Sequence, residues 1–488
     1  MGVEERIVSG FKAEFAMQVI KILAGGLLIV VLARLLTAEQ YGILHLTIYL
    51  CSIVVLLSNL GIPRAGARYI TEYEEKDPGQ IPNILKTALG INAITVGVGL
   101  TLLFLFRGQI AVWFGEPALE TLLLLGILYV IFENAMELCR RFLQGFKRVE
   151  WSASLPGVFT ITKFVAAISL VVLGYSVAGA LLGYVVGLAV ASLVGAVMLY
   201  STAREYTAAP IEPGLRRRLF EYSLPLTVTS SSNILMKRVD IVLLGFFLTP
   251  VAVGYYTVSK QLISFASNPS SSLGFSISPH YSSEYSAGDV SRAAELYKGA
   301  LRSMFVLYVP AVVGLILVAE PTVRYIFGAE YMGAVPIVQV LSIYLLADSI
   351  TNVTGSGLDY LGKAKFRGVL KGTMAISNAT LGILLIPTIG VLGAAIPTVV
   401  TYGIYALGNV YMMCRLLSIS HAELLRMIAK IVPLSLLMGA AVYSLLPLVT
   451  GLVTLFLVVA TAVVAYGLLG VYTNVIDMNQ LKKLASSG

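Results

Sequence analysis

Apolar runs of about twenty residues, separated by short polar punctuation, recur fourteen times along this chain of 488 residues. A bilayer's hydrocarbon core is crossed by ~20 apolar residues in helical form, and helices and closed barrels are the only backbones that satisfy their own hydrogen bonds there. The expected helices lie near 13–36, 41–62, 84–106, 118–139, 152–173, 177–201, 220–247, 251–278, 299–319, 334–358, 368–387, 390–414, 424–447 and 449–472. Composition agrees: 57% of residues are hydrophobic and 12% charged, about half the charged fraction of a soluble domain. The chain reads as an all-α polytopic membrane protein.

Several function classes drop out. The formal net charge of +8 comes from dispersed Lys and Arg, with no basic stripe and no interleaved aromatics, so no nucleic-acid surface is indicated. Three distant cysteines, Cys51, Cys139 and Cys414, support neither a disulfide framework nor a zinc site, and three histidines leave little for other metals. No P-loop, paired catalytic carboxylates or nucleophile–base motif occurs, so no catalytic residue, metal or cofactor is expected. Met1 to Phe15 does not read as a cleavable signal peptide.

Basic residues set the orientation, because short cytoplasmic loops retain Lys and Arg. With both termini cytoplasmic, 26 of the 34 fall inside, three outside (Arg34, Arg107, Arg324) and five within the membrane. A repeat at an offset of 212 residues relates Leu36, Thr37 and Gly42 to Leu248, Thr249 and Gly254. In the same register, Tyr69, Glu72 and Tyr73 recur as Tyr281, Glu284 and Tyr285, and Lys86, Ala88 and Leu89 as Lys298, Ala300 and Leu301. An even number of helices between copies predicts two parallel, pseudo-symmetric six-helix lobes around a central cavity. The expected divisions are an N-terminal lobe at 1–203, a cytoplasmic linker at 204–219, a C-terminal lobe at 220–417, and two further helices with a cytoplasmic tail at 418–488.

The five embedded cations, Lys21, Lys163, Lys237, Arg238 and Lys260, are the sharpest functional pointer. A charge at bilayer depth costs at least ~2.5–3.5 kcal/mol and normally faces a polar cavity or a partner. A cationic cavity suits an anionic cargo, but the acids Glu133, Glu137, Asp240, Asp348 and Asp359 could offset all five. Lys237 and Asp240 share a helix face and can neutralise each other. Glu133 and Glu137 share another and can serve as braces, as ligands for Na⁺ or H⁺, or as binders of a cationic drug. Ser230 to Asn233 and Ser267 to Ser272 make their helices polar, which suits either cavity lining or interhelical bonding. Pro225, Pro269, Pro310 and Pro397 are candidate kinks.

The segments LARLLTAEQYGIL, FEYSLPLTVTSSSNILMKRVDIVLLGFFL and VGYYTVSKQLISF resemble the MATE-like multidrug, oligosaccharidyl-lipid and polysaccharide exporter superfamily, and within it the polysaccharide biosynthesis flippases. The likeness extends over nearly the whole chain. Fourteen helices resemble the lipid-linked sugar and lipid II flippases more than the drug antiporters, which usually have twelve. The resemblance implies translocation of a polyprenyl-(pyro)phosphate-linked oligosaccharide from inner to outer leaflet of the cell membrane by alternating access. It implies as partners that lipid-linked oligosaccharide, membrane lipids and glycan polymerases or glycosyltransferases, with no cofactor beyond a coupling Na⁺ or H⁺. Basic residues of such flippases occupy places matching Lys21, Lys260 and Arg64, which become expected substrate ligands beside Lys163 and Arg238. An internal salt bridge for Lys21, ordinary anchoring for Arg64, and an ion-coupled antiporter of cationic drugs stand as the alternatives.

Overall fold

The structure is a computed structural model and describes residues 23–473 and 475, with the side chains of 228–238, 275, 276 and 279 outside the described set. Lys21 and the side chains of Lys237, Arg238 and Ser230 to Asn233 therefore lie outside the described residues.

All described elements are helical. They begin with α1 (Leu23–Leu35), α2 (Ala38–Asn59), α3 (Ile62–Lys76), α4 (Ile81–Trp113), α5 (Ala118–Gly145), α6 (Val149–Leu170), α7 (Ser176–Ala203) and α8 (Leu215–Phe247). The order continues with α9 (Pro250–Ser286), α10 (Val290–Thr322), α11 (Val335–Tyr360), α12 (Ala364–Ile389), α13 (Leu392–Leu416), α14 (His421–Leu445) and α15 (Leu452–Tyr472). Among the described residues, nine helical stretches are long and apolar enough to cross a membrane. One of them, Val149–Ala203, holds 55 residues, which would span ~80 Å as a straight helix. It is instead a hairpin of α6 and α7, turned where Gly174 and Ser176 take φ of 94° and 47°. Gly183 packs on Ala167 and Gly187 on Lys163, an antiparallel register in which each missing side chain admits the neighbouring backbone. α13 is long enough to cross, but its threonines, tyrosines and Asn409 dilute the apolar content. The outward faces of α4 and α15 leave Leu105, Phe456 and Val463 exposed, as lipid contact requires.

The described residues form two compact units, divided between Gly254 and Tyr255. In the first, α2 starts on a capping box in which Thr37 and Gln40 bond each other's backbone N–H. It ends where Leu60 and Gly61 turn left-handed, and Pro63 then starts α3. Gly61 is needed twice: its φ is +67°, and a Cβ there would lie 2.4 Å from the Ser223 carbonyl oxygen of α8. Gly42 and Gly254, which the expected repeat pairs, meet directly. A Cβ on Gly42 would fall 1.8 Å from Pro250 O and 3.0 Å from Gly254 N, and one on Gly254 would fall 2.3 Å from Ala38 O. A hydrophobic core gathers Ile62, Ile70, Tyr73, Ile84, Phe142 and Leu219.

The segment between α7 and α8 is a bound strap. Ala209 N–H donates to Gly79 O (2.9 Å), the Gln80 amide to Pro210 O (2.7 Å), and the Asn83 amide to Ala209 O (2.9 Å). Tyr73 donates to Glu212, which also accepts from Arg218 (2.7 Å). Burial, then the Glu212 bond, pushes the Tyr73 phenol up to about 12, while the Tyr73 bond and then Arg218 hold the Glu212 carboxyl below its usual range.

In the second unit α10 packs against α11 and α14, and α13 against α11 and α12, with α15 laid on α14. α9 carries an inserted hydroxyl: Tyr308 OH accepts from Ser270 N–H (3.0 Å) and donates to Ala266 O (3.1 Å), standing where the backbone bond between these residues would run. Pro269 adjoins the insertion, a combination that opens a helix ladder.

Candidate functional site

Three of the expected site residues come together in the first unit. Arg64, Glu133 and Glu137 line one cleft of about 210 Å³, together with Ser52 and Asn59 of α2 and Thr227 of α8. The helix geometry explains the convergence. Ser52, Val55, Leu56 and Asn59 recur at three, four and seven residues and form one face of α2, and Glu133, Met136 and Glu137 do the same on α5. The left-handed turn at Leu60–Gly61 carries Arg64 onto the end of this groove.

The charges in this cleft are unequally committed. Glu137 accepts from Arg140 Nε (2.8 Å), a second Arg140 nitrogen (2.8 Å) and Arg141 Nε (2.7 Å), so two guanidinium groups are tied to one carboxylate. Arg64 is exposed and has no hydrogen bond or ion pair to a described residue, although Arg140, Arg141 and Glu137 are near enough to act on it electrostatically. Arg64 shares the cleft lining with two carboxylates, Glu133 and Glu137, of which Glu137 is tied to Arg140 and Arg141. A guanidinium fork on the wall of such a cleft, unbonded among the described residues, is suited to a phosphoryl oxygen pair.

Lys163 is held differently. Its ammonium lies 4.5 Å from the ring centre of Phe159 on its own helix and 4.7 Å from that of Tyr184 on α7, a two-ring cation–π cage. Among the described residues it makes no ion pair. His45 of α2, 6% exposed and with its ring centre 4.5 Å from that of Tyr41 at a tilt of 53°, is close enough to feel the Lys163 charge. Asp240 is buried and accepts from Ile241 N–H (2.9 Å).

Lys260 belongs to the second unit, its ammonium 5.4 Å from the Tyr256 ring centre. In that unit Asp348 of α11 accepts from Ser267, from Tyr344 OH (3.2 Å) and from the Asn352 amide (3.4 Å). Asp359, at the end of α11, pairs with Arg367. A cleft of about 710 Å³ runs between α9, α10, α14 and α15, lined by Leu273, Leu307, Gly314, Met438 and Ala462, with Arg302 on its wall. Among the described residues no three His, Cys, Asp or Glu side chains are placed to hold a metal.

Sequence reasoning missed Ser52, Asn59, His45 and the ring pair around Lys163. Arg140 and Arg141 were legible, since spacings of three and four on a helix place them beside Glu137. The others needed knowledge of which helices touch.

Comparison with known proteins places this arrangement. The chain is 22% identical over 389 residues to the "Probable low-salt glycan biosynthesis flippase Agl15" of Haloferax volcanii, covering 79% of each chain. Its fold is similar to that of "Lipid II flippase MurJ, inward closed conformation", with a TM-score of 0.75 at 15% identity over 96% of this chain and 99% of that one. It is similar also to a "multidrug resistance MATE family transporter of the MOP superfamily" in an inward-facing conformation, with a TM-score of 0.64 at 15% identity over 83% and 98%. Residues 7–283 match the family described as "Polysaccharide biosynthesis protein". An all-helical, multi-span membrane fold shared with MurJ and the MATE transporters, and a family match over more than half the chain, identify this protein as a member of the polysaccharide biosynthesis protein family, within the MATE-like transporter superfamily.

Proposed function

We propose that this protein is a flippase that moves a polyprenyl-(pyro)phosphate-linked oligosaccharide from the inner to the outer leaflet of the cell membrane by alternating access. The observation that carries this reading is Arg64, a guanidinium that makes no hydrogen bond or ion pair to a described residue and lines a polar cleft in a multi-span membrane protein. Bringing a pyrophosphate through hydrocarbon unaided carries a large desolvation penalty, which fixed cations and hydroxyls lower. The apolar cleft between α10, α14 and α15 is suited to an isoprenoid tail, since its lining is almost wholly aliphatic. The likeness to a probable glycan-biosynthesis flippase supports the same cargo class.

In this reading the chain crosses the membrane fourteen times with both termini cytoplasmic, in two six-helix lobes at 1–203 and 220–417 about a central cavity. Residues 204–219 link the lobes, and 418–488 add the last two crossings and the tail. Lys21, Lys163, Arg238 and Lys260 assist Arg64 in neutralising the cargo, while Lys237 pairs with Asp240 and Glu137 braces Arg140 and Arg141. Glycosyltransferases supply the cargo and a glycan polymerase or transferase consumes it.

A second reading, an antiporter of cationic compounds coupled to Na⁺ or H⁺, is favoured by Asp348, an intramembrane carboxylate that accepts hydrogen bonds from hydroxyl and amide groups and makes no ion pair with a described residue. Reconstitution in liposomes with a fluorescent lipid-linked oligosaccharide and, separately, a cationic dye decides between them. Translocation of the glycolipid that falls in Arg64→Ala supports the flippase; dye export with no glycolipid movement refutes it.

A further inference from the structure

We propose that the cleft behind Arg64 is a sugar-reading subsite, in which Ser52 and Asn59 of α2 bind hydroxyl or amide groups of the sugar next to the phosphate. The proposal rests on the flippase reading and adds to it a place where the glycan itself is recognised.

Two orphaned polar atoms line this cleft. Ser52 is 3% exposed and lines the cleft, yet its Oγ is buried and bonds to no described group. Hydroxyls in membrane helices ordinarily donate back to the carbonyl four residues earlier. Thr47 does so to Ile43 (2.8 Å), Ser342 to Val338 (2.7 Å) and Ser278 to Gly274 (2.6 Å). Ser52 does not. Asn59 Oδ1 is likewise buried in the same cleft and receives no hydrogen bond. Buried polar atoms are overwhelmingly satisfied, so two orphans on one face of one helix, both on the wall of an open cleft, call for a donor that enters from outside.

Geometry selects the ligand. Ser52 and Asn59 are seven residues apart, hence ~10 Å along the helix axis. Oxygen ligands sit ~2.3–2.6 Å from a bound cation such as Ca²⁺, so one ion cannot engage both. A polyhydroxyl group tethered to a phosphate fits: the anion sits on Arg64 and the ring extends past Asn59 toward Ser52, with the Glu133 carboxylate on the opposite wall. A volume of about 210 Å³ equals roughly seven waters at their liquid volume, on the scale of one sugar ring with its substituents.

The test compares two probes on full-length protein in nanodiscs: sugar-free polyprenyl diphosphate, and the polyprenyl-linked glycan purified from the protein's own host. Wild type is expected to bind the glycan-bearing lipid about tenfold or more tightly than the sugar-free one, the worth of one to two hydrogen bonds. Ser52→Ala and Asn59→Leu should bring that ratio close to one while leaving the sugar-free Kd unchanged, with melting temperatures no lower than wild type. Equal binding of both probes by wild type, an unchanged ratio in both variants, or equal weakening of both probes overturns the subsite. Failure of wild type to bind either probe refutes the flippase reading itself. Should Asn59→Leu misfold, Ser52→Ala alone decides, because it removes a single buried oxygen.

Discussion

Removing the Arg64 guanidinium is the perturbation that most directly tests the cargo's charge. Arg64 donates to no described partner, so truncation breaks no bond to a described residue, and Arg64→Ala should change the melting temperature little, as exposed substitutions commonly do. The binding loss is larger. A charge-assisted hydrogen bond contributes about 1.5–3 kcal/mol, and a guanidinium fork can donate two to one phosphoryl group. Because the side chain is exposed, solvent screening cuts the pair to about 1.5–3 kcal/mol in all, which is roughly 10- to 150-fold in Kd. Arg64→Lys keeps the charge without the planar fork and should recover only part of this loss. The assay is titration of detergent-solubilised or nanodisc-embedded protein with polyprenyl diphosphate across a salt series, with melting curves on every variant. Wild-type affinity should fall with salt, and Arg64→Ala should weaken binding and flatten that slope. An Arg64→Ala protein that melts normally and binds with unchanged Kd and salt dependence would refute the assignment of Arg64 to the anion.

Gly61→Ala should destabilise the protein by at least about 1–2 kcal/mol, from the left-handed backbone alone, and more because its Cβ would press on Ser223 O at 2.4 Å; an unchanged melting temperature would show that the α2–α3 turn can relax. Glu212 has a depressed folded pKa, so its contribution to holding the strap is present above its ordinary value of 4.5 and is lost as pH falls through the folded value. Hydrogen exchange of residues 205–214 should accelerate over that acid window and should already be fast near neutral pH in Glu212→Gln; equal protection in both proteins at pH 7 contradicts the strap's dependence on this carboxylate. Filling the apolar cleft with Ala462→Trp should raise the KM for a long-chain polyprenyl glycolipid while sparing one with a two-isoprene tail, and equal effects on both would place the tail elsewhere.

Crossing helices were legible in the sequence because bilayer thickness imposes a length and lipid imposes an apolar surface, both local properties. The α6–α7 hairpin shows this: expected turns near residues 174–176 coincide with Gly174 and Ser176, the residues that adopt positive φ. Gly42 and Gly254, paired in the expected repeat, sit where two backbones touch, so neither position has room for a side chain. Charged positions could be named from the sequence, but their partners could not. Glu133 and Glu137 were equally good braces or ion ligands until α5 was seen to carry Arg140 and Arg141 onto Glu137 while Arg64 entered the same cleft from α3.

By itself the sequence determined an all-helical membrane chain and the residues whose charge had to be explained, since periodicity, length and hydropathy are written residue by residue. Only the tertiary structure decided that Lys163 sits between Phe159 and Tyr184, that Ser52 and Asn59 point unsatisfied into a cleft, and that Arg64 guards its mouth. Those facts depend on which face of each helix meets which neighbour, and helix packing sets that through small-residue contacts and turns such as Leu60–Gly61, whose consequences lie far away in sequence.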